Sequence, residues 1–434
     1  MNRITLILSG LVLLITLSCE KKEETPLEKM ISSLKNELVP LSENPLLWSD
    51  DDLKFLEPEA NHSIIGLGEA THGTSEFFKA KHRILRYMVE NHNFKIFAIE
   101  ADFGESVFLN EAVQRSDSGA IENLMRAKMH FWTWKTREVR DLLVWMCKYN
   151  SGKPDDEKVQ YVGIDCQYNT YNPGLIKDYL TEANAPFYSF AEAILDEAVI
   201  ATRDKFTGYT AESFNNYIKR LDALRDTLIS NENRLVQRSS GDRFELAKGI
   251  LYIVRQVSLV TKYAQDKIYT TYRDQFMAEN AVWLLDLFGG KKMVLWAHNS
   301  HVANSQGWMG KYLKMALPDN FTNIGFLFSR GTFNAVGMEG TQYTSLKEQE
   351  IVKDPVENSI NYVMSQCNQA AFAVKVSTLQ GNNQWMESFT GGLQYFDIGA
   401  VYNNVPKDYY RKFYPASFDY LVYIDKTSAS VLLK

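Results

Sequence analysis

Cysteine is scarce in this chain: four in 434 residues, one of them at position 19, close to the start. The other three, Cys147, Cys166 and Cys367, are odd in number and lack paired spacing, which excludes a fold stapled by disulfides. Cys147 and Cys367 fall in or near helix-like stretches and read as small buried hydrophobes. Cys166 follows Asp165 directly, where a nucleophile could sit, although a cysteine flanking a strand end is ordinarily core. A basic stripe is also missing. With a net charge of −6 and Lys and Arg interspersed, the chain has no footprint for nucleic acid. There is no G-x-S-x-G elbow, which removes the usual serine-esterase arrangement, and no H-E-x-x-H or comparably sharp metal spacing. Internal repeats and low-complexity tracts are absent. Aromatics are plentiful at 13%, which suits a protein that binds a large apolar ligand and equally suits any well-filled core.

The first nineteen residues read as a leader outside the fold. Asn2-Arg3 give a basic start, Ile4 to Leu17 an apolar stretch, and Ser18-Cys19 a small residue before cysteine. The stretch is too short, and too soon followed by charge, for a transmembrane helix. It resembles a bacterial lipoprotein signal, with Cys19 the lipidated residue of the mature chain, although Thr16 stands where such signals most often carry Leu. An ordinary secretory signal is the alternative. Residues 20–27 then form a tether, charged from Glu20 to Glu24 and similar to the export tags of surface lipoproteins in some Gram-negative bacteria. The expected location is the outer membrane, facing the periplasm or the surface, with membrane attachment through a lipid on Cys19.

Beyond the tether the elements alternate. A first helix is expected over Pro26 to Asn44. Strand-like runs follow at Ser63 to Leu67, Ile96 to Ile99 and Val159 to Ile164. Helices lie between them, the first beginning at Thr74 or Ser75 and burying Phe77, Phe78, Ile84, Leu85 and Met88 on one face. Further helices are expected over Ser106 to Gln114 and Thr136 to Tyr149. Such alternation predicts an α/β fold, a mostly parallel sheet flanked by helices. Residues 175–287 differ: poor in Gly and Pro, with long amphipathic periodicity, they read as an inserted helical lobe. Residues 28–174 and 288–434 then form the α/β core, with further strands at Met293 to Trp296, Asn323 to Phe328, Ala371 to Val374 and Tyr420 to Ile424.

Ionisable groups close the strand-like runs. The first ends in G-L-G-E-A-T-H-G, which carries Glu69 and His72; the second ends in Glu100-Ala101-Asp102. The third ends at Asp165, and the run from Met293 ends in W-A-H-N-S-H with His298 and His301. Buried parallel strands read as apolar runs, and ligands bind beyond their carboxyl ends. The pattern therefore points to a carboxylate–histidine active site. A dinucleotide fingerprint does not fit, because position 71 is Thr where the third glycine should stand, and Glu69 would repel a pyrophosphate. The glycines are expected to turn the chain sharply, so that Glu69 and His72 face one cavity. A carboxylate on one imidazole nitrogen fixes the tautomer and leaves the other free to deprotonate water. Asp102 and Asp165 read either as groups that orient this machinery or as caps of the following helices. A metal held by His298, His301 and a carboxylate, or by Glu69, His72, Glu100 and His298, is stoichiometrically conceivable, but no spacing demands it.

These motifs carry a resemblance. G-L-G-E-A-T-H-G-T-S-E-F-F-K-A-K-H-R, the A-I-E-A-D strand end, G-I-D at Gly163 to Asp165, W-A-H-N-S-H-V-A and the closing F-D-Y-L-V-Y-I-D-K-T-S-A resemble the erythromycin esterase family, in the family's order and over nearly all of the mature chain. The resemblance implies hydrolysis of the ester in 14-membered macrolide lactones, with no cofactor and no metal, by water activated on one histidine. Carried over by motif, the base is His72, Glu69 and Glu100 are its supporting carboxylates, and His298 is a second essential histidine. His301 is kept as a supporting residue. The family's basic residue on the next helix, an Arg in characterised esterases, falls at Lys81, which keeps the charge and loses the bidentate fork. A macrolide also needs a roomy apolar cleft, for which Met129, His130, Phe131, Trp132 and Trp134 are the candidate lining. The rival readings are a family hydrolase acting on a different ester, a haem- or ligand-binding lipoprotein, and a metal-dependent peptidase. Two acidic groups beside His72 disfavour an anionic haem there.

Overall fold

Short, fully apolar segments of this kind can satisfy their backbone only by pairing with one another, and they do so in one sheet. The computed structural model describes residues 24–42, 50–268, 271–379 and 392–433. The leader and Cys19 lie outside the described residues, as does the first half of the tether, residues 20–23. The strands are β1 (Val39–Pro40), β2 (Ile64–Leu67), β3 (Phe94–Asp102), β4 (Gln160–Asp165), β5 (Lys292–Trp296), β6 (Phe321–Glu339), β7 (Gln342–Ile351), β8 (Ala371–Lys375), β9 (Gln394–Phe396), β10 (Val401–Tyr402), β11 (Tyr410–Lys412) and β12 (Tyr420–Thr427). The main sheet runs β1-β8-β12-β6-β2-β5-β3-β4. From β12 to β4 every neighbouring pair is parallel, so these strands end on one edge. β8 and β1 extend the sheet antiparallel.

The helices sort to the two faces. α2 (Ser75–His92) follows β2, and α3 (Phe103–Gln114), α4 (Ile121–Lys128) and α5 (Arg137–Asn150) lie between β3 and β4, after α1 (Pro26–Glu37). Between β4 and β5 come α6 (Asn172–Glu182), α7 (Tyr188–Arg203), α8 (Ala211–Ser230), α9 (Glu232–Arg238), α10 (Gly241–Gln265) and α11 (Tyr272–Leu287). Alternation along the strands separates two cores. Ile96, Ala98, Met293 and Leu295 pack with the apolar sides of α6 to α11. Phe97, Ile99, Val294 and Trp296 pack with α2, α4 and α5. The inserted helices thus share one continuous core with the sheet. Among the described residues, no helix is long and apolar enough to cross a membrane.

Two elements differ from the sequence expectation. α1 stops at Glu37, because Leu38 is extended and Val39–Pro40 pairs with β8; proline lacks the N–H that a helix interior requires. β6 runs on to Glu339 with Phe333 and Ala335 buried, and the chain folds back through β7, a largely exposed, polar strand whose composition gives no apolar signal.

Candidate active site

β2 ends at Leu67, and Gly68 carries the chain to Glu69. A Cβ on Gly68 would lie 2.2 Å from Asn299 Oδ1, and one on Gly73 would lie 2.0 Å from the Asn334 carbonyl oxygen. Neither glycine has positive φ. They serve close backbone approach, and a sharp left-handed turn is not their role. The loop is tied to the end of β5, where the Ala297 N–H donates to Leu67 O and the Asn299 N–H to Glu69 O.

Glu69 is fully buried and both its oxygens are engaged. Oε1 lies 2.7 Å from His72 Nδ1; Oε2 accepts from Lys81 Nζ at 2.6 Å and from Trp296 Nε1 at 2.7 Å. Lys81 arrives by helical periodicity: on α2 it lies one turn beyond Phe77 and Phe78 and one turn before Leu85, on the face driven into the core. Its ammonium sits 4.3 Å from the Trp296 ring centroid. Burial lowers its pKa to about 8 against the opposing pull of Glu69. Burial alone would raise the Glu69 carboxyl, but Lys81 and His72 bring it below its ordinary value. A carboxylate only accepts, so Nδ1 of His72 carries the proton towards Glu69 and Nε2 is the basic nitrogen.

His72 stays partly exposed, while His298 and His301 are buried. The His72 ring lies 4.9 Å from that of His298 and edge-on to Trp134 at 5.9 Å. Its backbone N–H donates to Gly399 O, and Gly399 adopts φ +76° beside both imidazoles. His298 caps α12 (Asn299–Val302), its Nδ1 accepting from the Ser300 N–H at 3.3 Å. Burial lowers its pKa, so the ring is neutral near pH 7 with its proton on Nε2, 3.4 Å from Asp397 Oδ1. Asp397 also accepts from Ser300 Oγ at 2.7 Å.

Glu100, at the end of β3, holds the rest together. Oε1 accepts from Arg273 Nη2 at 2.7 Å and lies 3.1 Å from His301 Nε2; Oε2 accepts from the His298 N–H at 2.9 Å. Burial would raise its pKa, but His301 and Arg273 hold it well below the usual carboxylate range. Arg273, on α11, also grips Asp165 at both oxygens, 2.9 Å and 2.7 Å away. His301 is clamped between Glu100 and Asp274, whose Oδ1 is 2.7 Å from Nδ1. Burial opposes its charge, yet the two carboxylates lift its pKa to about 10.

The structure therefore gathers Glu69, His72, Lys81, Glu100, His298, His301 and Asp165 around the carboxyl ends of β2, β3, β4 and β5. Asp102 faces another way: its Oδ1 accepts from the Gln167 and Tyr168 N–H groups. Of the aromatic cluster, Met129 and Trp134 pack in the core, and Trp134 Nε1 donates to Glu100 O. Phe131 and Trp132 are half-buried. His130 lines a cavity of about 590 Å³ with Gln167, Tyr168, Thr202 and Val260. Cys166 is buried and its thiol is pushed well up by burial and by Asp165, an inert setting for a nucleophile. His301 has both nitrogens engaged by carboxylates. Among the described residues, neither His298 with His301 nor the set Glu69, His72, Glu100 and His298 groups its donor atoms as metal ligands.

Sequence reasoning missed Arg273, Asp274 and Asp397. Asp397 had a faint signal, a short apolar run ending in an acid at Tyr395-Phe396-Asp397. Arg273 and Asp274 begin an amphipathic helix, where nothing in the pattern marks which polar residue meets the sheet.

Comparison with known proteins agrees with this architecture. A family model described as Erythromycin esterase matches residues 89–427. The chain is 24% identical over 371 residues to erythromycin esterase type II of Escherichia coli, an alignment covering 77% of this chain and 85% of that protein. A crystal structure of a Bacillus cereus protein superposes with a TM-score of 0.81 at 24% identity, covering 95% of this chain and 100% of the other. A mutant of the erythromycin esterase EreC in its open conformation superposes with a TM-score of 0.69 at 16% identity, over 92% of this chain and 99% of the other.

Proposed function

The chain belongs to the erythromycin esterase family, a family of hydrolases, and on that premise we propose that it opens the macrolactone of 14-membered macrolides such as erythromycin with water activated by His72. The observation that supports this reading most directly is the pinning of His72 through Nδ1 to a buried Glu69 that Lys81 and Trp296 hold from the other side. An imidazole so fixed presents Nε2 to the site as general base.

In this mechanism Nε2 takes a proton from water as the water oxygen bonds to the lactone carbonyl carbon. The resulting oxyanion needs a donor, and we assign that part to the Nε2–H of neutral His298, which has no hydrogen-bond partner among the described residues and belongs to a ring 4.9 Å from that of His72. Collapse breaks the bond to the ring oxygen, which leaves with the proton held on His72. The product is a hydroxy acid, and His72 is neutral again. No covalent enzyme intermediate forms. Lys81, sealed in the core and bonded to Glu69, fixes the carboxylate. Incubation of the mature protein with erythromycin, followed by mass spectrometry, tests the substrate: a gain of one water supports the macrolide reading, and unchanged erythromycin contradicts it.

Attachment to the outer membrane through lipidated Cys19 is part of the same proposal, supported by the basic start, the apolar stretch and the Ser18-Cys19 junction. Multiple acylation of one cysteine anchors firmly where a single chain does not. Wild-type protein is expected in the membrane fraction and Cys19→Ser in the soluble fraction; a wholly soluble wild type contradicts the anchor.

A further inference from the structure

We propose that Asp102, Glu105 and His130 form a binding site for one divalent transition-metal ion, separate from the His72 cluster and at the rim of the cavity beside the inserted helices. The site is built where β3 passes into α3. Asp102 closes the strand and Glu105 stands three residues on, in the first turn of the helix, a spacing that brings two side chains to one side. His130 comes from the loop after α4. Donor atoms of the three residues lie within 4.8 Å of one another.

Both carboxylates are buried, at 2% and 0% exposure, and each has one oxygen without a partner. Asp102 spends Oδ1 on the N–H groups of Gln167 and Tyr168, and Oδ2 is bare. Glu105 Oε2 accepts from the His130 N–H at 2.8 Å and lies 3.1 Å from His130 Nδ1, while Oε1 is bare. A buried acceptor left unpaired carries its full desolvation cost, and a charged one more. Arg273 does not relieve this pair, because its fork is taken by Asp165 and Glu100.

The donor set selects the ion. One imidazole with two carboxylates suits zinc or manganese, whereas magnesium favours oxygen and water. His130 is already oriented: its ring stacks on Tyr168 at 4.3 Å, and Nε2 lies 3.1 Å from Thr170 Oγ1, the kind of outer contact that fixes a ligand ring. Glu105 Oε2 and His130 Nδ1, 3.1 Å apart, already stand at about the separation that tetrahedral zinc with bonds of about 2.0–2.2 Å sets between two ligands. His130 is exposed, and its loop leaves the site open to solvent on that side. Bound metal would pin that loop, and with it one wall of the cavity, to the start of α3.

The test uses the full mature chain, stripped with EDTA, dialysed, and titrated with Zn²⁺ against a chromophoric chelator. One zinc per chain is expected, with a rise in melting temperature. Glu105→Gln and His130→Ala should each weaken binding by roughly 100-fold or more and abolish the thermal shift, while His72→Ala binds like wild type. Glu105→Gln removes a like charge, so its melting temperature in EDTA should match or exceed that of wild type, and lost binding then does not reflect a lost fold. Absence of zinc binding to wild type, binding that survives both substitutions, loss of binding in His72→Ala, or equal affinity for Mg²⁺ would each overturn the proposal. None of these outcomes depends on which ester the protein cleaves.

Discussion

Lys81 Nζ lies 2.6 Å from Glu69 Oε2, with both side chains sealed from solvent. Removing one member of a buried pair leaves an uncompensated charge, which costs about 3–5 kcal/mol. Lys81→Met should therefore destabilise the protein by that order, seen as a lower urea midpoint with an unchanged slope. It should also depress turnover, because Glu69 would no longer be held for His72. A Lys81→Met protein as stable as wild type would show that the pair contributes nothing.

His301 gives the stability a defined pH dependence. Its pKa of about 10 in the folded protein stands above the ordinary 6.5, because Glu100 and Asp274 outweigh burial. The folded state thus binds a proton that the unfolded state releases above pH 6.5. The contribution is complete below pH 6.5 and is lost as pH rises towards 10. Lys81, at about 8 against 10.5, acts in the opposite sense only above pH 8. Between pH 6.5 and 8, stability should fall by up to about 1.4 kcal/mol per pH unit, and His301→Gln should flatten that slope. Urea melts across the interval decide it; a slope unaltered by the substitution contradicts the assignment.

In the proposed mechanism Arg273 is a positioning residue contributed by the inserted helices. Through Glu100 it reaches the His298 backbone, since the two Glu100 oxygens hold Arg273 and the His298 N–H respectively. Arg273→Lys keeps the charge and loses the fork that spans Asp165 and Glu100. Displacements of about 1 Å at a catalytic group can cost 10²-fold, so kcat is expected to fall by that order with KM changing much less. A mainly KM effect would place Arg273 in substrate binding instead.

The extent to which this site was legible follows from how each residue reaches it. Glu69, Glu100, Asp165 and His298 stand at or just beyond the ends of buried parallel strands, and an apolar run that stops at an ionisable group is visible in one dimension. Lys81 was visible only through the family motif; its burial, on the face shared with Phe77, Phe78 and Leu85, came with the structure, because a lysine on an apolar face ordinarily extends its ammonium to solvent. Arg273 lies 108 residues beyond Asp165, on a helix with polar residues on several sides, and only tertiary packing selects it. Trp134 shows the converse. An aromatic expected to line a cleft is buried beneath His72, because its indole N–H has the Glu100 carbonyl as partner and its ring has Trp296 and Phe78. Residues 341–352 gave no strand signal because β7 is polar and largely exposed.

The central claim is that His72, fixed by Glu69, is the base that activates water. The measurement that tests it most directly is the rate at which His72→Ala adds one water to erythromycin, followed by mass spectrometry on protein whose fold is verified by circular dichroism. The account predicts a loss of roughly 10²-fold or more relative to wild type, with secondary structure and melting temperature little changed. Near wild-type turnover by the folded variant would contradict it.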